Sequence, residues 1–264
     1  MSTSRSKWSP LGCSQKFSCF FFGSSILRRQ CWPSVFTLAE SCKNSGSHLR
    51  CRLAAHSDPS VAANMRCKES YPEDFQAAIK RSPLKEGELE ELCAKSSYPP
   101  VFVYGHLMLP TALKYIVDIP QTTTVDMFYA TLPGYKLHHF AENGKPGLPT
   151  IKPSSSSSDV VEGMLVFGLT REQRSDIQEV ECVRTGHSIF IDTKVQVSLI
   201  DKIHGYEVKS QKSVDAGTFV WSWTSENTEL QPMETSFWPI DDFLSGQLYA
   251  NMVKEQNKVP SSYN

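Results

Sequence analysis

Residues 104–107 read Tyr-Gly-His-Leu, between the apolar run Val101-Phe102-Val103 and a segment with helical spacing. A strand that ends in glycine just before a helix can turn backbone N–H groups toward a carboxylate or a carbonyl oxygen. Gly105 permits the positive φ or close approach that such a turn needs. The same turn also occurs in folds that bind nothing there. His106 is either a loop histidine or, beside a carboxylate, a proton carrier. Glu179 and Glu181 close a helix, and from the residues alone they are solvated carboxylates. Cys182 follows Glu181, and His187 lies five positions on. These are the residue types of a Cys/His nucleophile pair, which needs spatial contact; a half-buried thiol is the plainer reading. Trp221 and Trp223 could stack bases, but no basic stripe accompanies them, so they read as core.

Composition narrows the classes. The 264 residues suffice for one domain of ordinary size plus an extension. A hydrophobic fraction of 40% can fill a core, and a formal net charge of -1 gives no field for nucleic acid. No apolar run reaches the roughly 20 residues that span a bilayer, so no stable membrane insertion is expected. Cys13, Cys19, Cys31, Cys42, Cys51 and Cys67 precede the domain, and none of the eight cysteines forms a C-x-x-C pair. A zinc site is therefore disfavoured, and the thiols read as unpaired in a reduced compartment.

The chain divides into residues 1–71, a disordered or targeting extension; 72–98, a short helical linker; 99–252, the domain; and 253–264, a polar tail. The first 39 residues carry Arg5, Lys7, Lys16, Arg28 and Arg29 and no acid. Such a start resembles a mitochondrial transit peptide. A secretory core at 17–22, a true start at Met65, or a tail without a targeting role are the other readings. The cytoplasm is the expected compartment, or the mitochondrion if the extension is genuine.

Several elements would carry the 104–107 turn. Val101 to Tyr104 reads as a buried strand, and Leu109, Leu113, Ile116 and Val117 as a helix with Pro110 in its first turn. Val125–Tyr129, the stretches after Pro133-Gly134 and Pro146-Gly147, Val160–Gly168, Phe190–Ile200 and Gly217–Trp223 read as strands. Gly163 inside a strand marks a bulge or a close backbone approach. Arg171–Glu181 reads as a helix capped by Thr170, and a last helix begins near Pro239. Short, turn-like connections argue for an α+β fold, with a curled, mostly antiparallel, barrel-like sheet and few helices.

Several of these pieces, in order, resemble the gamma-glutamylcyclotransferase-like superfamily, in particular its small plant- and fungal-type, avirulence-induced-gene-like branch. The family opens on Y-G-[ST]-L, and Val101 to Met108 reads VFVYGHLM. Its A-x-L-x-G-Y matches Ala130 to Tyr135, its P-x-[IL] matches Pro149-Thr150-Ile151, and its V-x-G-x-[LV] matches Val161 to Leu165. Its L-D-x-F-E falls on Ile177 to Glu181, its Y-x-R-x-x-V-x-V on Phe190 to Val197, and its A-x-x-[YF]-V-W on Ala216 to Trp221. The resemblance runs from Val101 to Tyr249, a little over half the chain.

The resemblance implies an enzyme that converts a small-molecule gamma-glutamyl amine or amino acid to 5-oxoproline by intramolecular aminolysis. It implies no metal and no organic cofactor. Glu181 takes the place of the catalytic glutamate, with Glu179 as its neighbour and competitor. Tyr104, Gly105, His106 and Leu107 would bind substrate, the backbone of residues 105–107 holding the glutamyl α-carboxylate and Tyr104 walling the pocket. The chain departs from the family at His106 for Ser or Thr, Gln178 for Asp, Val180 for Phe, Phe190 for Tyr and Asp192 for Arg. Two other functions stay open, the first because of these departures. One is a binding or regulatory module that kept the fold without the chemistry. The other is an amide hydrolase releasing glutamate.

Overall fold

The run Val101-Phe102-Val103 is apolar and buried at every position, as a strand paired on both edges must be, and it forms β1 (Val101–Val103). It belongs to a computed structural model that describes residues 67–142, 145–181, 187–203, 206–222 and 230–257. The chain divides into two units, Met1–Ala55 and His56–Asn264, and every described residue belongs to the second. The expected N-terminal extension lies outside the described residues as far as residue 66.

One edge of β1 pairs antiparallel with β5 (Val160–Val166), from Val101 opposite Val166 to Val103 opposite Met164. The other edge meets β7 (Tyr206–Trp221) in parallel, Val101 opposite Gly217. β5 then pairs antiparallel with β2 (Met127–Pro133), β2 with β6 (Ser188–Ile203), and β6 with β7. The result is a closed barrel in the order β1-β5-β2-β6-β7. A three-stranded sheet stands beside it, with β3 (Tyr135–Glu142) between β4 (Lys145–Pro153) and β8 (Leu230–Pro232). The class is α+β and mostly antiparallel, as the sequence implies.

Gly163 shows why a strand tolerates glycine. The β2–β5 register runs through it without interruption, so there is no bulge. A Cβ there would collide with the Phe102 ring and the Val103 carbonyl. The glycine is a point of close approach that lets β1 lie against β5.

Residues 72–98 form helices as expected, α1 (Glu73–Lys80) and α2 (Glu86–Lys95), but they join the core. Phe75 is fully buried and Leu89 nearly so. Between them, Leu84 bridges Leu199 of β6, and its carbonyl accepts the Ile200 N–H at 2.8 Å. The acidic face of α2 stays in water, where Glu86 meets Lys212 at 2.8 Å. Such an exposed pair adds little stability.

After β1 comes a one-turn 3₁₀ helix (Gly105–Met108) and then α3 (Pro110–Ile116), with Pro110 at its start. α4 (Arg171–Val180) begins on a capping box: Thr170 Oγ1 accepts the Gln173 N–H, and Gln173 Oε1 accepts the Thr170 N–H. The expected C-terminal helix divides into α5 (Asp241–Leu244) and α6 (Gln247–Gln256), and α6 runs into the segment read as a polar tail. The chain between β8 and α5 is fastened to the barrel by buried Glu162, whose carboxylate accepts from the Tyr129 and Ser236 hydroxyls.

The last barrel strand is a correction. It begins at Tyr206, well before Gly217. Among the described residues, no helix is long and apolar enough to cross a membrane.

Candidate functional site

Tyr104 is in extended conformation and leads from β1 into the 3₁₀ turn. Gly105 then takes φ +71, where an L side chain is strained. The turn is compressed from outside as well, because a Cβ on Gly105 would stand 2.5 Å from Pro149 Cγ of β4. The glycine expected for a tight turn is thus required both by its own backbone and by its neighbour.

This geometry aims the Tyr104 phenol inward. Its O–H donates to the Phe219 carbonyl on β7 at 2.8 Å, fully buried. Burial, and then the Glu181 carboxylate, hold the phenol well above its ordinary pKa, while the Thr150 hydroxyl and the Ile151 backbone of β4 oppose the shift. One oxygen therefore marks where the end of β1, the middle of β4, β7 and the end of α4 meet.

Glu181 is the residue that ends α4, and its N–H donates to the Ile177 carbonyl at 2.8 Å. Ile177, fully buried, anchors that last turn. Two positions from Glu181, Glu179 is exposed. Glu181 itself is half-buried, and its carboxyl group sits at the desolvated side of the residue. Desolvation raises its pKa from 4.5 to about 7. Of the two helix-end carboxylates, only Glu181 faces Tyr104.

His106 behaves differently from either expectation. Its ring is buried, with its centroid 5.6 Å from that of Phe243 on α5. Burial lowers its pKa to about 4, and Nε2 has no hydrogen-bond partner. It is neither a surface histidine nor paired with a carboxylate; it is a neutral packing side chain. Leu107 is buried in the core. An aromatic group stands nearby in the sheets, with the Trp221 ring 5.3 Å from Phe140 and 5.9 Å from His187. Cys182 and Trp223 lie outside the described residues.

One departure from the family pattern has a plain structural role, and another lies on the surface. Phe190 packs on Phe219 at 5.1 Å and under the Arg174 guanidinium at 5.3 Å, and Arg174 donates to the Pro99 carbonyl. Asp192 is exposed. Thr150 is the site neighbour that the sequence did not mark for function. It is visible only as the variable position of a Pro-Thr-Ile strand start, and its importance comes from contact across the fold.

Among the described residues, no group of three His, Cys, Asp or Glu is arranged to hold a metal ion. An open groove of about 640 Å³ lies elsewhere, lined in part by Lys68, Tyr71, Lys136, Ser236 and Asp241. It shares no residue with the Tyr104–Glu181 cluster, and its Lys68 is already bound by Asp241 at 2.7 Å.

Comparison with known proteins identifies a family. The family described as gamma-glutamyl cyclotransferase, AIG2-like, matches residues 101–239, from β1 past β8. The chain belongs to that family. AIG2-like protein D of Arabidopsis thaliana is 32% identical over 123 residues, which are 46% of this chain and 66% of that protein. This chain thus spans just under two thirds of that relative. A solution structure of an Arabidopsis thaliana protein aligns with TM-score 0.36 and 19% identity, over 62% of this chain and 91% of its own. A structure titled gamma-glutamyl cyclotransferase aligns with TM-score 0.34 and 18% identity, over 62% and 90%.

Proposed function

We propose that the chain is a gamma-glutamylcyclotransferase, with Glu181 as its general acid–base. The observation that carries this reading is a desolvated carboxyl group, with pKa about 7, facing the Tyr104 phenol beside the Gly105 turn. A carboxyl group near neutrality is half ionised at the pH where it works, so it can both accept and return a proton.

The substrate arrives with its α-nitrogen protonated. Glu181 takes one proton, and the freed lone pair attacks the γ-carbonyl carbon. The carbonyl π pair moves to oxygen, and a second proton passes from the ring nitrogen to the leaving nitrogen. Collapse restores the carbonyl and breaks the carbon–nitrogen bond. Glu181 returns its proton to the departing amine. The products are 5-oxoproline and an ammonium species, with two protons moved from one nitrogen to the other. The turn at 105–107 holds the α-carboxylate through its backbone N–H groups, and Tyr104 forms the wall. Holding the chain in its cyclising conformer supplies the entropic part of the acceleration.

The test is 5-oxoproline release from a panel of gamma-glutamyl amines and amino acids, using the full chain beside Glu181→Gln. Product from the parent, and at least about a hundredfold less from the variant, is expected. No product from a folded parent would favour a binding module. Glutamate in place of 5-oxoproline would make the protein a hydrolase.

A further inference from the structure

Thr150 lies on β4 and is only 5% exposed, yet its Oγ1 has no hydrogen-bond partner. Buried hydroxyls are nearly always paired, because leaving one unpaired costs free energy that water would otherwise supply. Its polar neighbours have other partners. The Tyr104 O–H donates to the Phe219 carbonyl at 2.8 Å. His138, opposite Thr150 in the β3–β4 register, has its Nδ1 on the Lys136 carbonyl at 3.1 Å. The Tyr104 oxygen keeps a lone pair and feels the Thr150 hydroxyl, but the two do not meet in hydrogen-bond geometry.

The position of this orphan matters. Thr150 follows Pro149, the residue wedged against Gly105, and points to the other face of the strand, where its hydroxyl meets the Tyr104 phenol. That turn has no hydroxyl except the Tyr104 phenol, whose proton is already used. His106 adds a buried imidazole rather than a hydroxyl, and its ring packs on Phe243. Among the described residues of the cluster, the buried O–H without a hydrogen-bond partner is that of Thr150. Threonine suits such a task, because branching at Cβ restricts χ1 and keeps the hydroxyl aimed.

We propose that Thr150 is a substrate-binding group, whose hydroxyl donates a hydrogen bond to a carboxylate or carbonyl oxygen of the glutamyl head. This rests on the cyclotransferase reading and adds to it the side chain that recognises the head group. It also accounts for a buried hydroxyl that the Tyr104 oxygen approaches without completing a hydrogen bond. Discrimination against analogues lacking that oxygen follows, since the hydroxyl would again be left unpaired.

The experiment uses the full chain, with Thr150→Val and Thr150→Ser beside the parent. Three quantities are measured: KM and kcat for a gamma-glutamyl compound the parent turns over, the Kd of 5-oxoproline by calorimetry, and the melting temperature. Thr150→Val should raise KM and weaken 5-oxoproline binding by about tenfold, with kcat changed less. Its melting temperature should hold or rise, because a methyl replaces an unpaired oxygen. Thr150→Ser should recover most of the lost affinity. Parent-like KM and Kd in Thr150→Val overturn the assignment and leave the cyclotransferase reading intact. So does a lowered melting temperature that Thr150→Ser restores without restoring affinity, since that outcome makes the hydroxyl structural. A parent that neither turns over a gamma-glutamyl compound nor binds 5-oxoproline removes the cyclotransferase reading, and this assignment falls with it.

Discussion

Pro149 Cγ occupies the place that a side chain on residue 105 would need, 2.5 Å from the Cβ that glycine lacks. The same glycine holds φ +71. Gly105→Ala therefore meets two penalties, left-handed backbone strain and overpacking against a proline that cannot swing aside. Together they should cost about 2–4 kcal/mol. Chemical denaturation measures this directly, and a loss under about 0.5 kcal/mol would mean that the turn relaxes easily.

Glu181 should set the acid limb of the reaction. The free carboxylate is the base, so kcat/KM should rise with pH and level off above about 7, where the group is ionised. Glu181→Gln should remove both the limb and most of the rate. A parent profile flat from pH 5 to 8 would assign the base elsewhere.

Stability should respond to pH through two opposed groups. His106 has its folded pKa lowered from 6.5 to about 4, so the unfolded chain binds more protons between those values. Acidification through that window should cost about 3 kcal/mol. Glu181 has its folded pKa raised from 4.5 to about 7, so there the folded chain binds more protons. The stability this contributes is full below pH 4.5 and is lost as pH rises through 7, again by about 3 kcal/mol. The two slopes nearly cancel in the parent. His106→Leu should expose a protein that grows more stable as it is acidified from pH 7 to 4.5, and Glu181→Gln one that grows less stable. Denaturant titrations across that range would show both. Identical pH slopes in the two variants would contradict the burial of one of these groups.

Thr170 caps the helix that ends at Glu181. Thr170→Ala should cost about 1 kcal/mol, and Thr170→Ser much less, since the serine oxygen accepts the same N–H. Thermal unfolding of the pair checks this. An alanine variant as stable as the parent would show that the capping box is not needed.

What could be read from the sequence follows from what each signal encodes. β1 and its turn were legible because an unbroken apolar run ending in glycine has few alternatives. The capped helix at 171–180 was legible because Thr170 announces its start. The first half of β7 was not, because Tyr206-Glu207-Val208-Lys209 is exposed and carries no burial pattern; pairing with β6 makes it a strand. The helices at 73–95 were found, but their place in the core was not, because Leu84 shows its partner Leu199 only after folding. At the site, Glu181 was marked by motif alone, since desolvation of its carboxyl is a tertiary effect. His106 invited proton chemistry by its type, but its burial against Phe243 shows only in the fold. Thr150 carried no signal for function, because what singles it out is a partner it lacks.

Barrel closure at Val101 and Gly217 also has a consequence for synthesis. Of the barrel strands, the one that closes the barrel leaves the ribosome first, and one of its partners emerges more than a hundred residues later. At translation speeds of about 5–20 residues per second, the wait is on the order of ten seconds. Throughout it, Val101-Phe102-Val103 has no finished barrel to enter, and its apolar faces are available to a chaperone. Nascent chains stalled before Gly217 leaves the exit tunnel should therefore keep this segment open to protease, and chains stalled well beyond it should protect it. Early protection would mean that β5 alone shelters β1, and that the newborn protein needs less escort than its topology implies.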